Sequence, residues 1–399
     1  MAGCHETARA PRAQNKIEIA EIFHQHGDEY RLKNNPQLRH LRAMKAIEIC
    51  RTEKMGGHVD RCVKCGHEKP SYNSCRNRHC PKCQGALAAR WVAKREAELL
   101  PVPYFHIVFT VSDFLEAVII RNQRIMYEIF FRAASDTLLS VSEDERHLNA
   151  RPGFIAMLHT WGQTLYSHTH IHCVVPAGGI STDGKRWVKG DAKFLLPVKV
   201  LSNVFRGKFL DDFKKARAEG KIEFSGSIAA LSDESAWKRF IDKLYSVDWV
   251  VYAKKPFGSP RIVLKYLSRY THKTAISNHR LERCENGRVT FRYRDYRDGK
   301  SKLMTLDAME FIRRFLQHVL PDGFVRMRYY GFMANRNRSA NIELCRKLIG
   351  ASRYHKPNCV GVATAESEKR VICPKCGGQM INVREIIGVY RIRRRGRAP

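Results

Sequence analysis

GFIAMLHTWGQTLYSHTHIHCVVP, residues 153–176, is apolar, β-branched and aromatic over most of its length. That composition suits strands, and the polar interruption predicts two adjacent strands with a turn near Tyr166–His168. In the second strand His168, His170 and His172 alternate with Thr169 and Ile171. Side chains on a strand repeat every two residues, so the three imidazoles share one face. Neutral imidazole is the commonest protein ligand for metals, and two such rings leave a divalent ion open positions for water and substrate oxygens. A third ligand is expected. Gln163 is favoured, with His159 and His168 competing, because a carboxamide oxygen suits Mg2+ or Mn2+.

Outward from this hairpin, strands and helices are interspersed. YFHIVFTV (104–111), WVVYAKK (249–255) and FVRMRYYGF (324–332) read as strands, and GRVTFRYRDY with SKLMTL reads as a hairpin turning at residues 297–300. Apolar spacing predicts helices over 17–51, broken near Asn34-Asn35-Pro36, and over 86–100, 112–140, 197–218, 233–245, 261–273 and 307–320. Hairpin-like neighbours favour an α+β fold over a doubly wound parallel sheet. The expected organisation is a helical segment (1–54), a zinc-binding DNA-recognition domain (55–100), a catalytic domain (101–340) and a basic C-terminal segment (341–399).

The chain has 399 residues and carries 71 Lys+Arg against 39 Asp+Glu, a formal net charge of +32, with 44% hydrophobic residues. That apolar content builds a core and excludes a wholly disordered basic protein, while the charge points to a polyanion, nucleic acid first. No apolar run is long enough to span a membrane, and the N-terminus lacks a secretory h-region. A cytoplasmic, nucleoid-associated location without membrane partners is expected, and reducing conditions there make the 13 Cys thiols or metal ligands.

Cys62-Val-Lys-Cys65 and Cys80-Pro-Lys-Cys83 each place two thiolates on one tight knuckle, and 14 residues separate the pairs. This spacing predicts one four-thiolate Zn2+ site. Cys75 and His79, four apart, offer further ligands to that ion or to a second one. Arg76 and Arg78 make the loop basic and suited to DNA. Cys373-Pro-Lys-Cys376 is half a site; Cys345 and Cys359, or another chain, would complete it. Farther along, Tyr266 and Tyr270 lie one helical turn apart among Lys265, Arg269, His272 and Lys273. Such cations favour phenolate and bind phosphate, and a phenolate is a competent nucleophile at phosphorus.

SCRNRHCPKCQ (74–84), HTHIHCVVPAGG (168–179), YLSRYT (266–271) and RYYGF (328–332) occur in that order. Together they resemble the rolling-circle insertion-sequence transposases, HUH endonucleases with two tyrosines and an N-terminal zinc-binding domain. The resemblance covers roughly residues 15–385. It implies an antiparallel sheet flanked by helices, with His170 and His172 as the HUH pair and Tyr266 and Tyr270 as nucleophiles. It implies cleavage of single-stranded DNA at hairpin-bearing transposon ends, 5′-phosphotyrosine links, and joining to target DNA. Lys265, Arg269 and Lys273 would hold the DNA backbone, and Phe291, Tyr293, Tyr329 and Tyr330 would stack unpaired bases. Within the HUH class, a plasmid replication initiator or relaxase is the nearest alternative. From other classes, a non-catalytic zinc-containing DNA-binding regulator and an RNA-associated structural protein remain. No GxxxxGK[ST] motif is present, which disfavours a helicase-fused initiator.

Overall fold

A computed structural model describes residues 17–191, 195–254, 274–350 and 371–390. Its centre is a five-stranded antiparallel sheet built from β3 (Tyr104–Thr110), β4 (Gly153–Trp161), β5 (Ser167–Pro176), β8 (Val251–Lys254) and β12 (Met327–Gly331), in the order β12-β4-β5-β3-β8. The histidine strand β5 is therefore the middle strand. The fold is α+β, and the paired strands of residues 153–176 form as the sequence predicts. The turn falls slightly earlier, over residues 162–166, where buried Leu165 adopts a left-handed φ of 62°. The helix Ala308–Gln317 and the residue after it pin this turn: the Gln317 side-chain amide donates to the Leu165 carbonyl at 3.0 Å, and His318 Nε2 lies 3.1 Å from the same oxygen.

One face of the sheet carries Phe109, Ala156, Leu158, Ile171, Cys173 and Val175. These side chains pack on α5 (Gln123–Glu143) and α6 (Val198–Ala218) through Phe130, Phe205 and Phe209. Ring centroids of 5.0 Å for Phe109–Phe205 and 5.5 Å for Phe130–Phe205 show the interdigitation. Each such aromatic contributes roughly 1.5–3 kcal/mol by burial, so this face is where the sheet is anchored. The residues 112–140 expected as one helix divide instead at Asn122, which separates α4 (Glu116–Arg121) from α5. Asn122 accepts from the Glu223 backbone N–H at 2.8 Å and donates to the Glu223 carbonyl at 3.0 Å, so it ties in a distant loop rather than continuing the helix.

On the other face, Tyr104, Ile155, Met157 and Val174 meet Leu100, Phe332 and Met333 at one end. The histidines occupy the opposite end. Phe291, expected as a stacking platform, is fully buried in a separate core, and Tyr330 stacks on Phe154 at 5.1 Å. Strand alternation places both rings inward, so neither is a free base platform.

That separate core joins α1 (Ile19–Asn34), α2 (Leu38–Glu48), the sheet β9 (Leu281–Glu285), β10 (Arg288–Arg294) and β11 (Ser301–Asp307), and the helix Ala308–Gln317. Cys50, Cys75, Cys80 and Cys83 belong to it, as do Trp161 and Leu165 from the end of the histidine hairpin. The cysteine-rich module and the hairpin tip thus share one packed interior. A further sheet has the order β13-β14-β1-β2, in which β1 (Gly57–Cys62) and β2 (Glu68–Tyr72) pair with β13 (Val371–Ile372) and β14 (Gln379–Ile386) from near the other end of the chain.

Candidate functional site

The pairing register of β5 brings the imidazoles together. His170 lies opposite His159 on β4 and Thr110 on β3, while His172 lies opposite Met157 and Val108. Cross-strand partners share a face, so His159 joins His170 and His172. One ligand nitrogen from each lies within 4.8 Å of the others. His172 Nε2 is 3.1 Å from His159 Nδ1, close to the ~3 Å separation of two nitrogens on one ion at about 2.1 Å. His170 Nδ1 lies 2.7 Å from the His168 carbonyl. A carbonyl only accepts, so this contact places the proton on Nδ1 and leaves Nε2 with its lone pair.

A further histidine, His106 on β3, joins them without any local sequence motif to mark it. Its Nε2 lies 2.8 Å from His172 Nδ1, and the two rings stack with centroids 5.0 Å apart. Burial, aided by Lys254, pushes His106 down to about 4, so it is neutral near pH 7. The contact assigns a proton to Nδ1 of His172 when Nε2 acts as a ligand. The available signal was the alternation of YFHIVFTV, which puts His106 on the same sheet face as the histidines of β5 once the strands are paired.

Gln163 does not lie on the ladder. β4 ends at Trp161, the register shifts between His159 and Trp161, and Gln163 falls in the turn, so no strand position holds it opposite His170. Its amide lies 3.4 Å from the hydroxyl of exposed Tyr296, and its carbonyl accepts from Arg280. His168, the other competitor, is exposed at the strand's start, with its ring 4.9 Å from His170.

Among the described residues, eight cysteines form two groups, with a pairing different from the expected one. Cys80 and Cys83 join Cys50 and Cys75, while Cys62 and Cys65 join Cys373 and Cys376. In the first group Cys50–Cys83 and Cys75–Cys83 Sγ separations are both 3.6 Å. A tetrahedral zinc with Zn–S near 2.3 Å has S···S edges of about 3.8 Å, whereas a disulfide is about 2.05 Å. Hydrogen bonds from Cys50, Cys75 and Cys80 hold the Cys83 thiol far below its usual range, while hydrogen bonding to Cys50 first of all drives Cys75 up. Four thiols crowded on one point cannot all ionise alone, and a dication is what permits it. Cys75 is thus within the group, whereas His79 is not. The backbone N–H of His79 donates to Asn77 Oδ1 at 2.8 Å, and the residue lines a neighbouring cleft. Local spacing could not reveal Cys50, which follows α2, because only the fold of α1 and α2 over the knuckle brings it in.

The cleft, about 1100 Å³, lies beside this first group and is lined by Arg39, Arg42, Arg76, Arg78 and His79 together with Leu320 and Phe324. Arg76 is exposed there with a left-handed φ of 53°. Arg78 instead donates to the carbonyls of Phe324 at 2.6 Å and Pro321 at 2.8 Å, tying the cysteine loop to the segment after helix Ala308–Gln317. Lys265, Tyr266, Arg269, Tyr270 and Lys273 lie outside the described residues, as does the helix expected to carry them. Among the described residues no helix is long and apolar enough to cross a membrane.

Two family descriptions match the chain: "Transposase zinc-binding domain" over residues 22–111 and "Putative transposase" over 153–340. The chain is 46% identical over 387 residues to "Putative transposase y4qJ" of Sinorhizobium fredii, covering 94% of this chain and 97% of the relative. It is 29% identical over 276 residues to "Transposase for insertion sequence element IS801" of Pseudomonas savastanoi pv. phaseolicola, covering 68% and 64% of the two chains. No solved structure matches it.

Proposed function

The chain belongs to the rolling-circle insertion-sequence transposases, the two-tyrosine HUH family with an N-terminal zinc-binding domain, and on that premise we propose that it cleaves and rejoins single-stranded DNA at transposon ends. The observation that carries this reading is the convergence of His159, His170 and His172 on one face of the central sheet. Mg2+ or Mn2+ would be held by these three imidazoles, His159 taking the place expected of Gln163, and when bound would polarise the scissile phosphate. The His168 carbonyl and His106 fix the ring tautomers so that ligand lone pairs face one point.

The nucleophile is assigned to Tyr266, with Tyr270 making the second cleavage. The tyrosine oxygen bonds to phosphorus as the bond to the 3′ oxygen breaks; the phenolic proton leaves to solvent and the departing 3′ oxygen gains one. A 5′-phosphotyrosine and a free 3′-hydroxyl result, and attack of that hydroxyl on the link at the target reverses the step without ATP. The partners are single-stranded and hairpin transposon ends and target DNA.

A suicide cleavage assay tests this. The full chain is incubated with single-stranded oligonucleotides carrying a transposon end and Mn2+, and covalent peptide–DNA adducts are mapped by mass spectrometry. An adduct at Tyr266 or Tyr270 that EDTA abolishes is expected. Binding with neither nick nor adduct would reduce the protein to a DNA-binding regulator.

A further inference from the structure

We infer that a second zinc ion joins the two ends of the chain, held by Cys62 and Cys65 near the N-terminus and by Cys373 and Cys376 near the C-terminus. The zinc-binding family match ends at residue 111 and contains only half of this ligand set. The four thiols lie within 4.8 Å of one another, with Sγ separations of 3.4 Å for Cys62–Cys376 and 3.7 Å for Cys65–Cys373 across 314 and 308 residues of sequence. These distances suit the edges of a thiolate tetrahedron about zinc and are far too long for disulfides.

The backbone is built for it twice over. Each half is a C-x-x-C-G knuckle with glycine in the left-handed region, Gly66 at φ 71° and Gly377 at φ 70°. Each closes identically: Gly66 N–H donates to Cys62 O and Gly377 N–H to Cys373 O, both at 3.0 Å. Cys62 N–H then donates to His67 O at 2.9 Å, and Cys373 N–H to Gly378 O at 2.8 Å. Such turns aim both sulfurs of a knuckle at one point. β1 and β14 pair antiparallel from Gly57↔Ile386 to Cys62↔Met380, and Val63 N–H donates to Gln379 O at 3.0 Å, which sets the knuckles face to face. Gly378 has no room for a side chain, since a Cβ there would lie 3.0 Å from Cys62 Sγ and 3.3 Å from Cys376 Sγ. The C-terminal strands are therefore part of the zinc module rather than a separate tail, and the catalytic sheet lies in sequence between the module's two halves.

Zinc per full-length chain, measured by elemental mass spectrometry after an EDTA wash that strips loose metal, tests the proposal. The wild type should hold two equivalents, and Cys373→Ser/Cys376→Ser should hold one. Hydrogen exchange should then show faster exchange at β14 amides in that variant, with β5 amides unchanged. Cys373→His, which keeps a zinc ligand, should retain two equivalents and β14 protection, separating metal loss from a folding defect. One equivalent in the wild type, or two in the double serine variant, would overturn the inference. So would two equivalents found only in a zinc-dependent dimer, because the site would then join different chains. None of these readings depends on DNA cleavage.

Discussion

His172 touches His159 on one ring nitrogen and His106 on the other, so the three substitutions should separate by role. His172→Ala should abolish cleavage while leaving DNA affinity within a few-fold, because affinity comes from many Lys and Arg phosphate contacts. His159→Ala should lower cleavage by roughly 100-fold or more, whereas Gln163→Ala, in the turn, should stay near wild type; the reverse order would restore Gln163 as the third ligand. His106→Ala acts through His172. It should raise the Mn2+ needed for half-maximal cleavage by about 10–100-fold and leave the rate at saturating metal little changed. A loss at all metal concentrations would place His106 in the chemistry itself. For the tyrosines, Tyr266→Phe should remove the first covalent adduct, while Tyr270→Phe should still nick but fail to complete strand transfer. Normal adducts in both variants would mean that neither hydroxyl is the nucleophile.

At the scale of elements, the hairpin β4–β5 was legible because its alternation is local: apolar and histidine positions reveal a strand with two distinct faces before any partner is known. What pairs with it was not. Gln163 and His159 precede His170 by seven and eleven residues, and only the register and the early end of β4 decide which faces it. The cysteines fail for the same reason. A C-x-x-C knuckle is a local signal, but which knuckles share an ion depends on β1 pairing with a strand more than 300 residues away. The hairpin turn also carries a pH dependence. His318 is 2% exposed, lies 3.2 Å from the Thr160 hydroxyl and 3.1 Å from the Leu165 carbonyl, and is pushed down to about 4 by burial. In the unfolded chain it titrates near 6.5. Above that pH both states are neutral and the fold bears no penalty. As pH falls from about 6.5 towards 4, only the unfolded state takes the proton, and stability drops by on the order of 3 kcal/mol. Thermal melts should show this loss in the wild type and a shallower one in His318→Gln, and equal slopes would remove His318 from the account.

Across the whole molecule, the +32 charge makes polyanion binding salt-dependent wherever the DNA lies, and charge alone does not locate it. The cleft beside the first cysteine group is the strongest position. Arg39 lines it with Nε buried and lacking a hydrogen-bond partner among the described residues, and burial lowers its guanidinium pKa, a cost that a phosphate oxygen would offset. Arg42 pairs at the surface with Asp322 at 3.1 Å, and exposed surface pairs contribute little, so it can exchange that partner for phosphate. Arg76 is exposed on the cysteine loop, whereas Arg78 is committed to backbone carbonyls. Arg39→Ala, Arg42→Ala and Arg76→Ala should therefore each weaken binding to a hairpin-end oligonucleotide and reduce the slope of log K against log salt by about 1. Arg78→Ala should act differently, lowering the melting temperature because it unties the cysteine loop from the segment after helix Ala308–Gln317. If the three alanine variants kept the wild-type slope, the DNA would have to run elsewhere. The histidine face of the sheet would then be the surface to probe, with exposed Tyr252 at its edge strand as the first substitution.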